Sequence, residues 1–329
     1  MTRAVGILGL GHYVPEKIIT NTDMEKIVET SDEWITERTG IKQRHIAAPE
    51  EATSDLAYNA AVEALKDAGV APEELDLVIV GTASSDYIFP STACLVQARL
   101  GVKNAAAFDL AAGCSGFVYS LAVASQMVKS GLYNKILIIG AETLSRIMNW
   151  TDRNTCVLFG DGAGAAVVGE VEEGYGVLGI DMGADGNGGK FLLQPAGGSR
   201  NPASEETVAA KDHTIHMNGQ EVFKFAIQIM GKTAKRALAK ANMKPEELDM
   251  LFPHQANYRI ITSAAKRLKM PMDKVWVNVD KYANTSAASI PIALCEAQKA
   301  GALKKGDNII LDGFGAGLTW AAIVLKWSK

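Results

Sequence analysis

An internal duplication restricts this chain more than any other feature. The stretch Ala61 to Asp76 lines up without gaps on Ala234 to Asp249, and Ala237, Leu238, Ala241, Pro245, Glu246, Glu247, Leu248 and Asp249 repeat their counterparts 173 residues earlier. Val128-Lys129-Ser130-Gly131 matches Gln298-Lys299-Ala300-Gly301 at a spacing of 170. The strand entrance Gly160-Asp161-Gly162-Ala163-Gly164 likewise matches Gly313-Phe314-Gly315-Ala316-Gly317. A period this long marks a duplicated domain and not a solenoid. The 329 residues also exceed what one hydrophobic core usually supports. Two halves about a pseudo-twofold are therefore expected, 1–172 and 173–329, meeting in the glycine-rich, charged region Glu170 to Gly189.

Within the first half, strands alternate with helices, which predicts an α/β protein with buried sheets. The first strand covers the opening residues, and Ser31 or Asp32 caps a helix that leads to the basic turn Arg38 to Arg44. A helix follows from Ser54 to Ala68, then the strand Leu77 to Gly81, a helix from about Ser91 to Leu100, and strands Lys135 to Gly140 and Ala163 to Gly169.

Cys114, in Asp109-Leu110-Ala111-Ala112-Gly113-Cys114-Ser115-Gly116-Phe117, sits where an apolar strand turns into a helix that is apolar nearly all round. The helix N-terminus is expected to favour its thiolate. The spacing of 170 carries Cys114 onto Asn284, and the spacing of 173 carries Gly81 onto His254. Three chemically capable residues thus fall at strand ends or helix starts, where open α/β sheets place their ligands. A Cys–His–amide set suits either a papain-like hydrolase or a carbon–carbon condensing enzyme, in which Cys carries an acyl group while His and Asn bind the enolate oxygen. The duplicated α/β halves and the buried nucleophile helix favour the second.

Net charge is −4, which argues against a global nucleic-acid or membrane surface. No apolar run approaches the roughly 18 residues a membrane span needs. The four cysteines are widely spaced without C-x-x-C, so neither zinc nor a disulfide framework is signalled, and a cytoplasmic setting fits.

The motifs D-L-A-A-G-C-S-G-F, P-H-Q-A-N-Y-R-I, N-T-S-A-A-S-I-P, T-D-R-N-T-C-V-L-F-G-D-G-A-G-A-A and G-F-G-A-G-L-T-W closely resemble β-ketoacyl-acyl carrier protein synthase III, of the thiolase-like superfamily. The resemblance runs from the first strand to Trp320. It implies a five-layered αβαβα fold, a homodimer, and condensation of a short-chain acyl-CoA with malonyl-acyl carrier protein to initiate type II fatty acid synthesis. No metal or prosthetic group is implied; coenzyme A enters as a substrate thioester. A related condensing enzyme of secondary metabolism is the nearest alternative, a cysteine thioester hydrolase a more distant one, and a catalytically silent CoA-binding protein is opposed by the intact Cys114, His254 and Asn284.

By the same resemblance Cys114 is the acylated nucleophile, and His254 with Asn284 serves decarboxylation. The backbone N–H groups of Cys114 and Ala316 would bind the thioester oxygen; relatives often have glycine where this chain has Ala316. Phe314 would exclude water beside the His. Trp34 and Arg153 match a pair that stacks the adenine of CoA. Arg38 would reach its phosphates, Gly219 and Asn257 would line the pantetheine channel, and a residue near Phe89 from a second subunit would cap the primer pocket. Lys224, Arg259, Lys266 and Arg267 are candidates for a basic rim that receives the acidic carrier protein, though a solvated helix face explains the same residues. His213 and His216 lack further ligands at metal spacing, and His12, His45, Cys94, Cys156 and Cys295 are read as structural.

Overall fold

The structure is a computed structural model that describes residues 3–329. Five strands of the first half, β1 (Val5–Tyr13), β2 (Leu77–Gly81), β3 (Ala106–Leu110), β4 (Lys135–Glu142) and β5 (Gly162–Glu170), form one sheet in the order β1-β5-β4-β2-β3. A second sheet contains β6 (Gly176–Ala184), β7 (Met250–Pro253), β8 (Asn308–Gly315) and β9 (Thr319–Lys326), in the order β7-β8-β9-β6. The helices that matter for the site are α1 (Asp32–Thr39), α2 (Thr53–Ala68), α3 (Thr92–Arg99), α4 (Gly116–Lys129), α5 (Gly219–Ile229), α6 (Lys232–Lys240), α7 (Tyr258–Leu268) and α8 (Ser289–Lys299).

Successive residues of a strand face opposite ways, and here both faces are apolar because both are covered. Leu77 and Ile79 of β2 pack inward on Phe117 and Leu121 of α4 and Leu294 of α8. Val78 and Val80 pack outward with Leu56 and Ala60 of α2 and Val96 of α3. Ile309 and Leu311 of β8 share the inner core, while Ile310 joins Leu238 of α6 and Ile261 of α7 on the far side. The result is five layers, α2/α3, sheet, α4/α8, sheet, α6/α7, the thiolase-like αβαβα arrangement.

The halves repeat each other strand for strand, with β6, β9, β8 and β7 in the places of β1, β5, β4 and β2. The matching Pro-Glu-Glu segments form 3₁₀ turns at Pro72–Glu74 and Pro245–Glu247. Two expectations about the repeat change. The 3₁₀ turn Gly113–Ser115 before α4 corresponds to Ser286–Ala288 before α8, so the spacing is still 173 there and Cys114 corresponds to Ala287. It falls to 170 only at the helix ends, because α8 has 11 residues and α4 has 14. Asn284 therefore precedes its turn instead of mirroring Cys114. The glycine runs are not equivalent either: Gly162 and Gly164 open β5, whereas Gly313 and Gly315 close β8.

Glycine sets how closely the central helices approach the sheets. A Cβ on Gly81 would lie 2.8 Å from the Gly116 backbone, and one on Gly140 would collide with the Ala287 carbonyl. Gly140→Ala should therefore cost about 1–3 kcal/mol, the usual penalty for overpacking, read as a lower denaturant midpoint. Gly186→Ala, where a Cβ meets nothing within 4 Å, should leave the midpoint nearly unchanged.

Candidate active site

Strand ends bring the three expected residues to one place. Cys114 lies in the 3₁₀ turn between β3 and α4, His254 follows β7 directly, and Asn284 bridges Phe159 in a short parallel contact. All three line a cavity of about 910 Å³, together with Phe314, Trp34, Arg38, Gly219 and Asn257.

His254 is fully buried. Its Nδ1 lies 2.7 Å from Ser289 Oγ, and Ser289 Oγ also accepts the Gln255 N–H at 3.3 Å. In the tautomer that carries the ring proton on Nε2, Ser289 Oγ donates to Nδ1. Nε2 has no partner within the protein. Burial lowers the imidazole pKa to about 3, so the ring is neutral at physiological pH. The edge of Phe314 packs on it with ring centroids 5.4 Å apart. Asn284 is similarly oriented: its Oδ1 accepts the Ser286 N–H at 2.8 Å, which leaves the Nδ2 donors for the cavity.

The expected thiolate at Cys114 is not what the resting site favours. Burial pushes the thiol up to about 12; the Ser286 hydroxyl opposes this and the charge of Glu142 adds to it. A helix end supplies at most about 2 kcal/mol, whereas desolvation can shift a buried group by several pK units, each worth about 1.4 kcal/mol. Desolvation wins. The Cys114 and Ala316 backbones are neighbours: Gly315 abuts the Cys114 nitrogen, and a Cβ on Gly113 would lie 2.5 Å from the Ala316 nitrogen.

The outer part of the cavity is built from α1. Ser31 caps that helix by accepting the Trp34 N–H. The Arg38 and Arg153 guanidiniums lie 4.8 and 5.1 Å from the Trp34 ring centroid, and Arg153 donates to the Glu29 carbonyl. Asn257 Nδ2 donates to the Arg38 carbonyl at 3.0 Å, which ties the start of α7 to α1. Lys224 on α5 pairs with Glu221 at 2.7 Å, and Arg259 on α7 lies over Phe223, a cavity-wall residue. Lys266 and Arg267 are exposed near the end of α7. Phe89 is 84 % exposed and does not line this cavity.

Sequence reasoning missed Ser289, which orients His254, and the wall formed by Lys190, Leu192, Leu193, Ile215, His216 and Met217. That wall is an irregular ribbon whose strands are only two residues long, too short for periodicity to register. His216, set aside above as a metal ligand, is part of it. His12 Nδ1 sits 3.1 Å from Cys295 Sγ, away from the cavity.

The sequence profiles of 3-oxoacyl-[acyl-carrier-protein (ACP)] synthase III and of its C-terminal region match residues 108–186 and 238–327. The beta-ketoacyl-[acyl-carrier-protein] synthase III of Caldanaerobacter subterraneus subsp. tengcongensis is 64% identical over 326 residues, 99% of this chain and 98% of that protein. That of Clostridioides difficile is 55% identical, with 100% of each chain covered. Among solved structures, the 3-oxoacyl-[acyl-carrier-protein] synthase III of Aquifex aeolicus superposes with a TM-score of 0.91 at 49% identity, covering 98% of this chain and 100% of that one.

The His254 geometry is open to direct measurement. Nitrogen-15 NMR of the ring should show Nε2 protonated and no titration between about pH 5 and 8, where an unperturbed His changes charge. Ser289→Ala should populate the Nδ1-protonated tautomer. An imidazolium signal emerging near pH 6.5 in the intact protein would contradict the buried neutral ring.

Proposed function

Because the chain belongs to the 3-oxoacyl-[acyl-carrier-protein] synthase III family, we propose that Cys114 is its acylated nucleophile and that His254 and Asn284 serve the malonyl half-reaction. The enzyme is an acyltransferase of the initiating condensation in fatty acid synthesis. Cys114 Sγ takes the acyl group from a short-chain acyl-CoA, releasing CoA. Malonyl-acyl carrier protein then loses CO₂, and the enolate oxygen accepts hydrogen bonds from His254 Nε2 and Asn284 Nδ2. The enolate carbon attacks the acyl-Cys carbonyl, whose oxyanion is held by the Cys114 and Ala316 amides. Collapse expels the Cys114 thiolate and gives 3-oxoacyl-acyl carrier protein.

One observation carries this reading: a neutral His254 offers an unpartnered Nε2 to the cavity that Cys114 and Asn284 also line. A hydrolase would need that His as a base, and a ring held at about 3 is a poor one. A neutral N–H is the right donor to an enolate, since it supplies a hydrogen bond without carrying a charge into the site.

On this reading Trp34 and Arg153 stack the adenine, Arg38 meets the phosphates, and Gly219 and Asn257 flank the pantetheine. Lys224, Arg259, Lys266 and Arg267 form the rim for the carrier protein, since α5 and α7 both border the cavity. Division at 1–172 and 173–329 puts the nucleophile in one half and its two helpers in the other. No helix of the described residues is long and apolar enough to cross a membrane, and we place the enzyme in the cytoplasm. The homodimer forms through β3, an uncovered sheet edge, with the exposed Tyr87, Ile88 and Phe89 reaching the other copy's primer pocket.

Intact-protein mass spectrometry with an acyl-CoA panel tests the chemistry. Cys114→Ser should show no acyl adduct. His254→Ala and Asn284→Ala should still load, while decarboxylation falls at least about 100-fold, as for a lost oxyanion donor. Loss of acylation alone in those variants would reverse the roles, and release of free acid without condensation would mark a hydrolase. Phe89→Asp should turn the dimer into monomers in sedimentation experiments and widen or abolish primer selection; an unchanged dimer would refute that interface.

A further inference from the structure

Arg44 is fully buried, and its hydrogen bonds among the described residues go to neutral oxygens, none of them a carboxylate. It lies in the short strand Gln43–His45, which pairs with Ile18–Thr20. Nη1 donates to the Ile19 carbonyl at 3.3 Å and to Asn21 Oδ1 at 3.0 Å, and Nη2 donates to the Val157 carbonyl at 2.8 Å. Burial lowers its pKa only to about 10, so the guanidinium stays charged at physiological pH. A buried cation without a counter-charge is costly, and an apolar side chain would fill the same space without that cost. What the apolar side chain lacks is a rigid planar fork that reaches separate chain segments at once.

One arm of the fork leads to Asn284. Residues 157–161 lie between the helical turn Arg153–Cys156 and β5 and belong to neither, so bonds to other segments set their position. Directly after Val157, the Leu158 carbonyl accepts the Asn284 N–H at 3.0 Å, and the Gly160 N–H donates to the Asn284 carbonyl at 3.1 Å. Leu158, Phe159 and Asn284 all line the cavity. The far end of the segment is held from the residue next to Arg44, since the Asp161 N–H donates to the His45 carbonyl at 2.9 Å. Packing leaves no slack at its centre: a Cβ on Gly160 would lie 2.7 Å from the Tyr282 carbonyl and 3.2 Å from Arg44 Cβ. The other arm is itself anchored, because Asn21 Nδ2 donates to the Ile41 carbonyl at 2.7 Å and to Asp32 Oδ1, at the start of α1, at 2.8 Å.

We propose that Arg44 is a positioning residue for Asn284: its guanidinium fixes the 157–160 segment, and through it the point in the cavity from which Asn284 Nδ2 donates. The inference rests on Asn284 serving decarboxylation. Arg44 does not line the cavity. Its removal leaves the buried Val157 carbonyl without a donor, and the segment shifts to find another. The Asn284 backbone moves with it, while Asn284 Oδ1 stays tied to the Ser286 N–H, so Nδ2 leaves its place. The Cys114 turn is held separately, by the Gly315 contact at its nitrogen, so acylation is spared.

The test compares decarboxylation of malonyl-acyl carrier protein with acylation by saturating acyl-CoA in Arg44→Met, Arg44→Lys, Asn284→Ala and the Arg44→Met/Asn284→Ala double variant. Arg44→Met should slow decarboxylation by about tenfold to about 100-fold, the range expected when a group is misplaced by about 1 Å, with acylation near wild type. Arg44→Lys keeps the charge and one donor, and should fall between wild type and Arg44→Met. The double variant should decarboxylate no more slowly than Asn284→Ala alone, because Arg44 acts only through that residue. A general structural role would slow both half-reactions together and add its loss to that of Asn284→Ala; either result would overturn the assignment, as would normal decarboxylation by Arg44→Met. Should Arg44→Met fail to fold, Arg44→Lys carries the test, alone and combined with Asn284→Ala, and wild-type decarboxylation by Arg44→Lys would then overturn it. Normal decarboxylation by Asn284→Ala would instead refute the role of Asn284 itself.

Discussion

The architecture depends on two helices sandwiched between two sheets at backbone contact distance. Gly81 against Gly116 and Gly140 against Ala287 are close enough that no side chain fits between them. That closeness fixes the height at which the Gly113–Ser115 and Ser286–Ala288 turns sit above the strand ends. Gly315 then abuts the Cys114 nitrogen and brings the Ala316 turn into line with it. A site made of backbone amides needs this rigidity, because preorganised donors act without reorganising during reaction. Apolar packing of α4 and α8 supplies the force, and glycine sets the distance.

Electrostatics in the cavity follows from the same enclosure. Burial in this site pushes both Cys114 and His254 toward their neutral forms. His254 becomes a neutral donor and Cys114 a neutral thiol. In the proposed reaction the two shifts work in opposite directions: the first would favour enolate stabilisation, while the second would make acylation harder. His254 cannot offset the second, since it is too weak a base.

Much of this was legible in the sequence because it rests on pattern. The duplication identified paired strands, and carrying its spacing from Gly81 to His254 found the histidine, as β2 and β7 end in register. The same arithmetic reached Asn284 through a spacing valid only at the end of α8, so the residue lines the cavity although the correspondence to Cys114 fails. The glycine runs at 160 and 313 misled for a related reason: close packing selects glycine wherever backbones meet, whatever the topology. The thiolate expectation failed because a helix start is visible in sequence and the depth of burial is not. Ser289 was hidden inside a recognised motif, since its role depends on a partner 35 residues away.

The paired turns show how a symmetric fold supports asymmetric chemistry. Both begin with a residue near φ +50, Gly113 in one half and Ser286 in the other, so the backbone geometry survived duplication while the side chains diverged. At the first turn glycine is required, because a Cβ there would strike the Ala316 nitrogen, and the sulfur follows on the next residue. At the second turn the corresponding residue after Ser286 is Ala287, which packs on Gly140 and leaves no room for a reactive group. Function moved to the flanks: Asn284 before the turn and Ser289 after it now hold the groups that face or orient toward the cavity. The two equivalent turns thus carry different side chains, and only the first carries a thiol, Cys114, into the cavity.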